Sequence, residues 1–401
     1  MPGPLTGLQG NQLRERFRAL DAFLTEHQPL WRPKPFTELT LPWEASHPAL
    51  SAWLRGRTLA QAEAVHNCLQ QLDAPAPFPS LATQAGALAA VDALPKAALP
   101  AAPHRLDVDV PGRKWQQIEA FASTLDFADN VTEWIDWCGG KGHLGRRLLR
   151  PDQRLTCLEY DPALVASGQA MSHKHTAAAR HILQDVMAAD LQLSADHTPV
   201  ALHACGDLHV QLMRRASEAG CQQLAFAPCC YNRTQGDYRQ LSHEPSALRL
   251  TLDDLALPIT ATVTAGARVR RQRDTSMARR LAFDLLQRRL RQVDEYLPCP
   301  SLPTGWLDKP FADYCAHLAA LQGISLKGFD DWTGLETEGR QRLAQVRNLE
   351  LVRGLFRRPL ELWLVLDRAL YLQDRGYDVQ VGLFCAEALT PRNIMVTAKR
   401  R

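Results

Sequence analysis

The sequence predicts an α/β fold built on a doubly wound parallel sheet, and three observations predict it. Between residues 133 and 230, five short apolar runs alternate with helix-length segments, the rhythm of a parallel sheet wrapped by helices. The first run opens directly into a glycine-rich stretch, Cys138-Gly139-Gly140-Lys141-Gly142-His143-Leu144-Gly145. Two strand-like runs close the sequence, joined by a turn too short for a parallel crossover and therefore antiparallel to one another. Together these describe a Rossmann-like sheet of seven strands with its last strand reversed.

The elements follow in order. Residues 10–27 and 46–73 carry apolar residues at helical spacing, for example Leu13, Phe17, Leu20, Phe23 and Leu24. A Pro/Ala-rich segment from about residue 73 to 104 reads as a surface-running connection, so residues 1–105 are expected to be an N-terminal helical domain with its linker. The strands are expected at 133–138, 154–160, 179–186, 199–205 and 222–230, within a first part of the sheet domain spanning 106–232. Residues 233–374 are mostly helical in pattern and form a large insertion between the fifth and sixth strands. The closing hairpin, with strands at 377–385 and 393–400, occupies 375–401.

The segment Gly140 to Gly145 satisfies GxGxxG at a strand-to-helix junction, where backbone N–H groups and the helix dipole suit an anion or a closely held ligand. A triphosphate loop requires Ser or Thr after its Lys, whereas Lys141 is followed by Gly142. A dinucleotide matches formally, with Glu159 at the end of the second strand placed to accept from ribose hydroxyls. Asp136, inside the first strand, argues otherwise. A carboxylate there repels a pyrophosphate but suits the cationic amino-acid end of S-adenosylmethionine. The reversed last strand agrees, being the methyltransferase variant of the doubly wound fold, in which Asp185, followed by Val186, approaches the adenine amino group. S-adenosylmethionine is therefore the expected cofactor.

The stretches "DWCGGKGHLG", "LHACGDL", "PCCYN", "LDRALYL" and "TPRN" resemble the motif series of the methyltransferase-like 25 group and its bacterial relatives. The first three are similar, more loosely, to the family that methylates a ribose hydroxyl in the tRNA acceptor stem. The resemblance runs from about residue 110 onward and implies a class I methyltransferase. It implies cofactor contacts for Asp136, Cys138, Gly140, Gly142, Glu159, Asp185 and the segment His203–Asp207, including Ala204 and Cys205; Gly139, His143 and Val186, beside these positions, are expected cofactor contacts as well. Where the tRNA family has a double histidine after its paired cysteines, this chain has Tyr231-Asn232.

In the usual strand order, Cys138, Cys205 and the pair Cys229-Cys230 all fall at the ligand-binding ends of neighbouring strands. Three readings stand side by side. Cysteine is small, apolar and suited to tight turns. One thiol is a candidate nucleophile, as cytosine C5-methylation of RNA requires. His203, Cys205, Cys229 and Cys230 are also the residue types of a zinc site, although adjacent ligands are an unusual spacing, and the sequence assigns no metal ligand. For an oxygen or nitrogen acceptor no protein nucleophile is needed; the acceptor must be aligned with the methyl group and its proton removed. Asp207, His203 and His143 are the candidate bases, and Tyr231 and Asn232 the candidate positioning groups. Lys114, opening a helix before the first strand, is placed to close over the cofactor.

Nine Arg and two Asp lie between Arg268 and Arg291, a local charge of about +7 within a chain of net charge +3. This part of the insertion is the expected contact for RNA, through Arg268, Arg270, Arg271, Arg273, Arg279 and Arg280. The leading expectation is thus methylation of structured RNA, tRNA or rRNA, at oxygen or nitrogen by direct in-line transfer. A protein acceptor and a cysteine-dependent cytosine C5 reaction are the alternatives. Ten cysteines without a CxxC pair point to reduced thiols, and charged residues interrupt the first thirty positions, so a cytoplasmic location away from membrane is expected.

Overall fold

The computed structural model describes residues 7–127, 130–174, 178–260 and 266–401. The apolar runs form strands because both faces of the central ones are covered: all five residues of β2 (Glu133–Trp137) are buried. Around it lie β1 (Leu8–Gln9), β3 (Arg154–Glu159), β4 (Ala179–Leu183), β5 (His197–Cys205), β6 (Gln223–Cys229), β7 (Tyr377–Leu383) and β8 (Ile394–Arg400). The sheet order is β1-β7-β8-β6-β5-β2-β3-β4. Strands β4, β3, β2, β5 and β6 are mutually parallel, while β8 runs antiparallel to both β6 and β7. The expected Rossmann-like sheet with a reversed last strand is present.

Eight strands stand where seven are expected. The additional β1 pairs Leu8 with Val381 and Gln9 with Gln380 at the edge. Two residues carry no readable alternation, so only tertiary pairing identifies this strand. No helix among the described residues is long and apolar enough to cross a membrane.

The chain divides into two units, and the division corrects the expected domain boundaries. The first comprises residues 1–25, 88–263 and 358–401; the second comprises 26–87 and 264–357. The N-terminal hundred residues therefore do not stand alone. Within the first unit, Phe17 of the helix Asn11–Glu26 stacks on Trp363, ring centroids 5.0 Å apart, and Trp363 Nε1 donates to Asp21 at 3.0 Å. Trp363 lies in the "LELWLVLDRALYL" helix, Arg357–Gln373, whose residues from Pro359 to Leu372 are all buried. A helix covered on every side must be enclosed by segments distant in sequence, and the N-terminal helix is one of them. The sheet's core is closed by Ile118, Phe121, Trp134, Leu155, Val200 and Ala225.

In the second unit the Arg-rich helix Ala267–Arg291 lies against Trp332–Gly354. A side chain at Gly339 would meet Ala282 Cβ at 2.5 Å, so glycine sets how closely these helices approach. Residues 26–87 join them: Asn348 Nδ2 donates to Arg57 O and Thr58 O at 3.2 and 3.1 Å, and Arg342 Nη2 to Pro35 O at 2.6 Å. The Pro/Ala-rich segment is not all connection, since Phe78–Ala89 is a helix whose Phe78 is fully buried.

Candidate active site

In a sheet of this order the crevice lies beyond the carboxyl ends of β2 and β5, where the chain switches direction. The glycine loop after β2 is bent by positive φ at Cys138 (54°), Gly140 (59°) and Gly142 (71°). A side chain at Gly142 would overlap His181 and Cys157, with atoms 2.5 and 2.7 Å away. One at Gly139 would lie 2.8 Å from Asp136 Cγ, so the loop crosses directly over that carboxylate.

Asp136 is 2% exposed and accepts one hydrogen bond, from Gly145 N at 2.9 Å. Burial raises its pKa to about 6, against the pull of Gly145 and of Arg146 and Lys114. A buried carboxylate in this condition favours a cationic ligand group beside it. Glu159 meets the other side of the loop. Its Oε2 accepts from Gly140 N at 2.9 Å, and its Oε1 accepts from Tyr160 N and Asp161 N at 2.9 and 3.0 Å. Anchored in this way, it presents its remaining lone pairs in a fixed direction. Asp185 lies just beyond β4, exposed, and accepts from Met187 N at 2.9 Å, while Val186 is buried. Tyr160, Leu183 at the end of β4 and Met187 are 73%, 58% and 43% exposed, and offer apolar surface of the kind that a flat heterocycle such as adenine covers. Sequence spacing missed these three because an exposed apolar residue has no periodicity. These residues fit S-adenosylmethionine at each part of that molecule.

The remaining candidates divide into groups that face the crevice and groups that build it. His143 is buried, its Nδ1 accepts from Arg146 Nη2 at 3.0 Å, and burial with that guanidinium lowers its pKa to about 3; it holds the loop as a neutral ring. His203 sits at a bulge in β5 with φ 65°, and its Nε2 donates to Gln117 Oε1 at 3.0 Å. Gln117 in turn donates through Nε2 to Leu389 O at 3.1 Å, which fixes the amide orientation and leaves His203 Nδ1 as acceptor. Burial lowers this imidazole to about 4, so it is neutral and weakly basic. Ala204, next to it, is buried. Arg113 joins Gln117 in holding the 385–393 turn, donating to Leu389 O and Ala388 O at 2.7 and 2.8 Å. Neither residue is legible from spacing, since their partners lie far along the chain.

Asp207 opens the helix Asp207–Ala219, and its carboxylate accepts from Gln235 N at 3.2 Å, tying down the turn that carries Asn232. Asn232 is half-exposed. The structure does not bring Tyr231 to the crevice: it is 2% exposed, lies under the Arg368 guanidinium at 5.2 Å and meets His209 edge-on. Its expected positioning role becomes packing. Arg368 donates to His209 Nε2 at 2.7 Å, to Tyr238 Oη at 3.0 Å and to Leu364 O at 2.7 Å. Asp367 accepts from Leu241 N and Ser242 N at 2.8 and 2.9 Å. This buried network supports the "PCCYN" turn from behind.

Three thiols converge beyond β5 and β6, those of Cys205, Cys229 and Cys230. Hydrogen bonding from the other two thiols lowers Cys205 to about 6, while burial and that neighbouring thiolate raise Cys229 and Cys230. Cys138, beneath the loop, is pushed up to about 12 by burial and by Glu159.

The RNA-contact expectation needs correction at two positions. Arg279 is buried and donates to Trp306 O and Lys309 O at 2.9 and 3.0 Å, and Arg280 donates to Cys299 O at 3.2 Å. Both hold the second unit together, because the helix packs on its neighbours along this half and the guanidinium groups there satisfy loop carbonyls. Arg288, likewise, is buried beside Asp284 at 2.9 Å. Arg268 and Arg271 are exposed, and Arg270 and Arg273 half-exposed.

A doubly wound sheet with a reversed last strand, a glycine loop over a buried acid, and a second acid on the loop backbone together define the class I methyltransferase arrangement. Residues 113–237, spanning β2 to β6 and all of these loops, match the sequence model of a methyltransferase domain. This stretch of the chain is a methyltransferase domain. No curated protein matches the sequence. Among solved structures, one similar over part of its length is the tRNA (uracil-54, C5)-methyltransferase of Pyrococcus abyssi in complex with S-adenosyl-L-homocysteine. Identity is 13%, the TM-score 0.24, and 28% of each chain is covered. A putative sarcosine dimethylglycine methyltransferase from Galdieria sulphuraria shows 14% identity and a TM-score of 0.26, covering 31% of this chain and 50% of its own. The O-methyltransferase of a Brevibacillus brevis trans-AT PKS multienzyme, also with S-adenosyl-L-homocysteine, shows 16% identity and a TM-score of 0.25, covering 33% and 46%. This chain thus spans at most half the length of these proteins.

Proposed function

We propose that the chain methylates structured RNA, tRNA before rRNA, at an oxygen or nitrogen atom. The observation that carries this reading is the exposed basic turn at the start of the 25-residue helix Ala267–Arg291, where Arg268 and Arg271 face solvent and Arg270 and Arg273 are half-exposed. A phosphate backbone is the ligand that such a run of guanidinium groups fits. The looser resemblance of three of the motifs to the tRNA ribose methylases supports the same reading.

The cofactor supplies a methyl group on a sulfonium centre that is already a good leaving group. The protein's part is to hold and to orient. Asp136 holds the cationic amino-acid end, Glu159 the ribose hydroxyls, and Asp185 with the surface of Tyr160 and Met187 the adenine. His203 Nδ1 takes the acceptor's proton. Its pKa of about 4 suits a proton made acidic by methylation rather than one abstracted beforehand. Asn232 orients the acceptor on the turn that Asp207 anchors. A cytosine C5 reaction needs a thiolate free to add to the ring, whereas the Cys205 sulfur is engaged by its two neighbours.

Label from S-adenosylmethionine incubated with the protein and fractionated cell RNA and protein is expected in RNA; label in protein alone would overturn the reading. Charge reversal at Arg268, Arg270 and Arg271 is expected to weaken RNA binding and flatten its salt dependence by roughly two to three released counterions. An unchanged slope would remove these residues from the RNA contact.

A further inference from the structure

Two features of the backbone bring the strand-end thiols together. At the bulge in β5, His203 takes φ 65° and the register shifts by one residue, so that Cys205 pairs directly with Cys229 across parallel strands. Paired residues of parallel strands point to the same face. At the end of β6, Cys230 takes φ 47°, which reverses the chain direction, and Arg233 N closes the turn on Cys230 O at 2.9 Å. Successive residues of a straight strand point to opposite faces. This left-handed residue removes that obstacle, and the adjacent cysteines turn their sulfurs to one point. All three Sγ atoms lie within 4.8 Å of one another, and Cys205 Sγ is 3.6 Å from Cys229 Sγ.

These spacings distinguish between two chemistries. A disulfide needs sulfurs at about 2.05 Å. Thiolates arranged tetrahedrally on zinc, each about 2.3 Å from the ion, stand roughly 3.8 Å apart. The Cys205–Cys229 separation of 3.6 Å is of the second kind, and the other two sulfur pairs lie within 4.8 Å. All three residues are free cysteines, with Cys229 buried and Cys205 and Cys230 half-exposed, so the sulfurs sit in a protected corner with one side open. His203, grouped with these cysteines in the sequence, is not among the ligands, since its ring is turned to Gln117.

We infer that Cys205, Cys229 and Cys230 form a binding site for a soft divalent cation, zinc, with its fourth coordination position open toward the acceptor end of the crevice. Three protein ligands and one open position is the arrangement of zinc sites that bind an exchangeable ligand, rather than of closed structural sites. The inference rests on the backbone geometry of β5 and β6 and is independent of whether the acceptor is RNA.

The full chain, purified under reducing conditions without chelator, is expected to contain about one zinc per molecule by plasma emission. Cobalt(II) titrated into the metal-free protein is expected to give sulfur-to-cobalt charge-transfer absorption, and 2-mercaptoethanol is expected to shift the cobalt bands by taking the open position. Cys205→Ser, Cys229→Ser and Cys230→Ser should each lose the charge-transfer band, while Cys299→Ser, outside the trio, keeps it. The cobalt titration of the unaltered protein needs no variant to fold. Absence of both zinc and the cobalt band in that protein would overturn the site, as would retention of the band in all three serine variants. Cobalt bands indifferent to added thiol would overturn the open position.

Discussion

Replacing Asp136 with alanine is expected to weaken S-adenosylmethionine binding by at least ~100-fold in calorimetry, because truncating one partner of a buried charge pair costs about 2–5 kcal/mol. The carboxylate is buried, takes one hydrogen bond among the described residues and is held near a pKa of about 6. Its pH dependence follows from the sign of that shift. A folded-state pKa raised above the ordinary 3.8 means that the ligand-free fold binds this proton more tightly than the unfolded chain does. The stabilisation from that proton is fully present below 3.8 and is lost as pH rises through about 6. A cationic ligand selects the ionised form, so affinity should rise as pH is raised through about 6 and then level off, with proton release on binding at the lower end. Asp136→Asn should bind weakly and without this dependence. Near-normal affinity in the alanine variant, or a wild-type affinity flat from about pH 5 to about pH 7, would remove Asp136 from the cofactor site.

Gly206→Ala is expected to destabilise the protein by about 3 kcal/mol or more, since strained backbone and a forced overlap add together. Gly206 has φ 51° and ψ −125°, a conformation open essentially to glycine alone. A Cβ there would lie 1.8 Å from Arg233 O, the carbonyl that accepts from Asp207 N at 3.1 Å. Gly206 N also donates to Cys229 O at 3.0 Å, so one glycine holds the β5 loop against the "PCCYN" turn. Gly236→Ala is the control: it shares a positive φ of 77° but has nothing within 4 Å, and should cost only about 1 kcal/mol. Thermal and urea unfolding measure both. Equal losses in the two variants would show that the close approach at Gly206 carries no stability.

The parts of the protein that sequence alone determined share one property: they are set by neighbours within a few residues. The five parallel strands fall within two or three residues of the expected bounds because burial on both faces forces a continuous apolar run. The reversed last strand followed from a turn length. The loop acids Asp136 and Glu159 were legible because a strand end and a glycine turn place them at fixed offsets, and the structure puts both against that loop.

Tertiary structure decided whatever depends on partners distant in sequence. The two-residue β1 exists only as a pairing to β7. Phe17 and Trp363, more than three hundred positions apart, place the first helix with the sheet, whereas Asn348 and Arg57 place the segment after it with the second unit. Arg279 and Arg271 read alike as charges on one helix, yet the first satisfies loop carbonyls and the second faces solvent. Tyr231 and Asn232 are neighbours in one motif, but Arg368 covers the first and leaves the second half-exposed. The adjacent pair Cys229-Cys230, an unpromising spacing for a shared ligand, converges with Cys205 through one left-handed residue and one bulge. Periodicity records which face of an element is covered. It does not record by what, and at this site the identity of the covering group decides which side chains remain for chemistry.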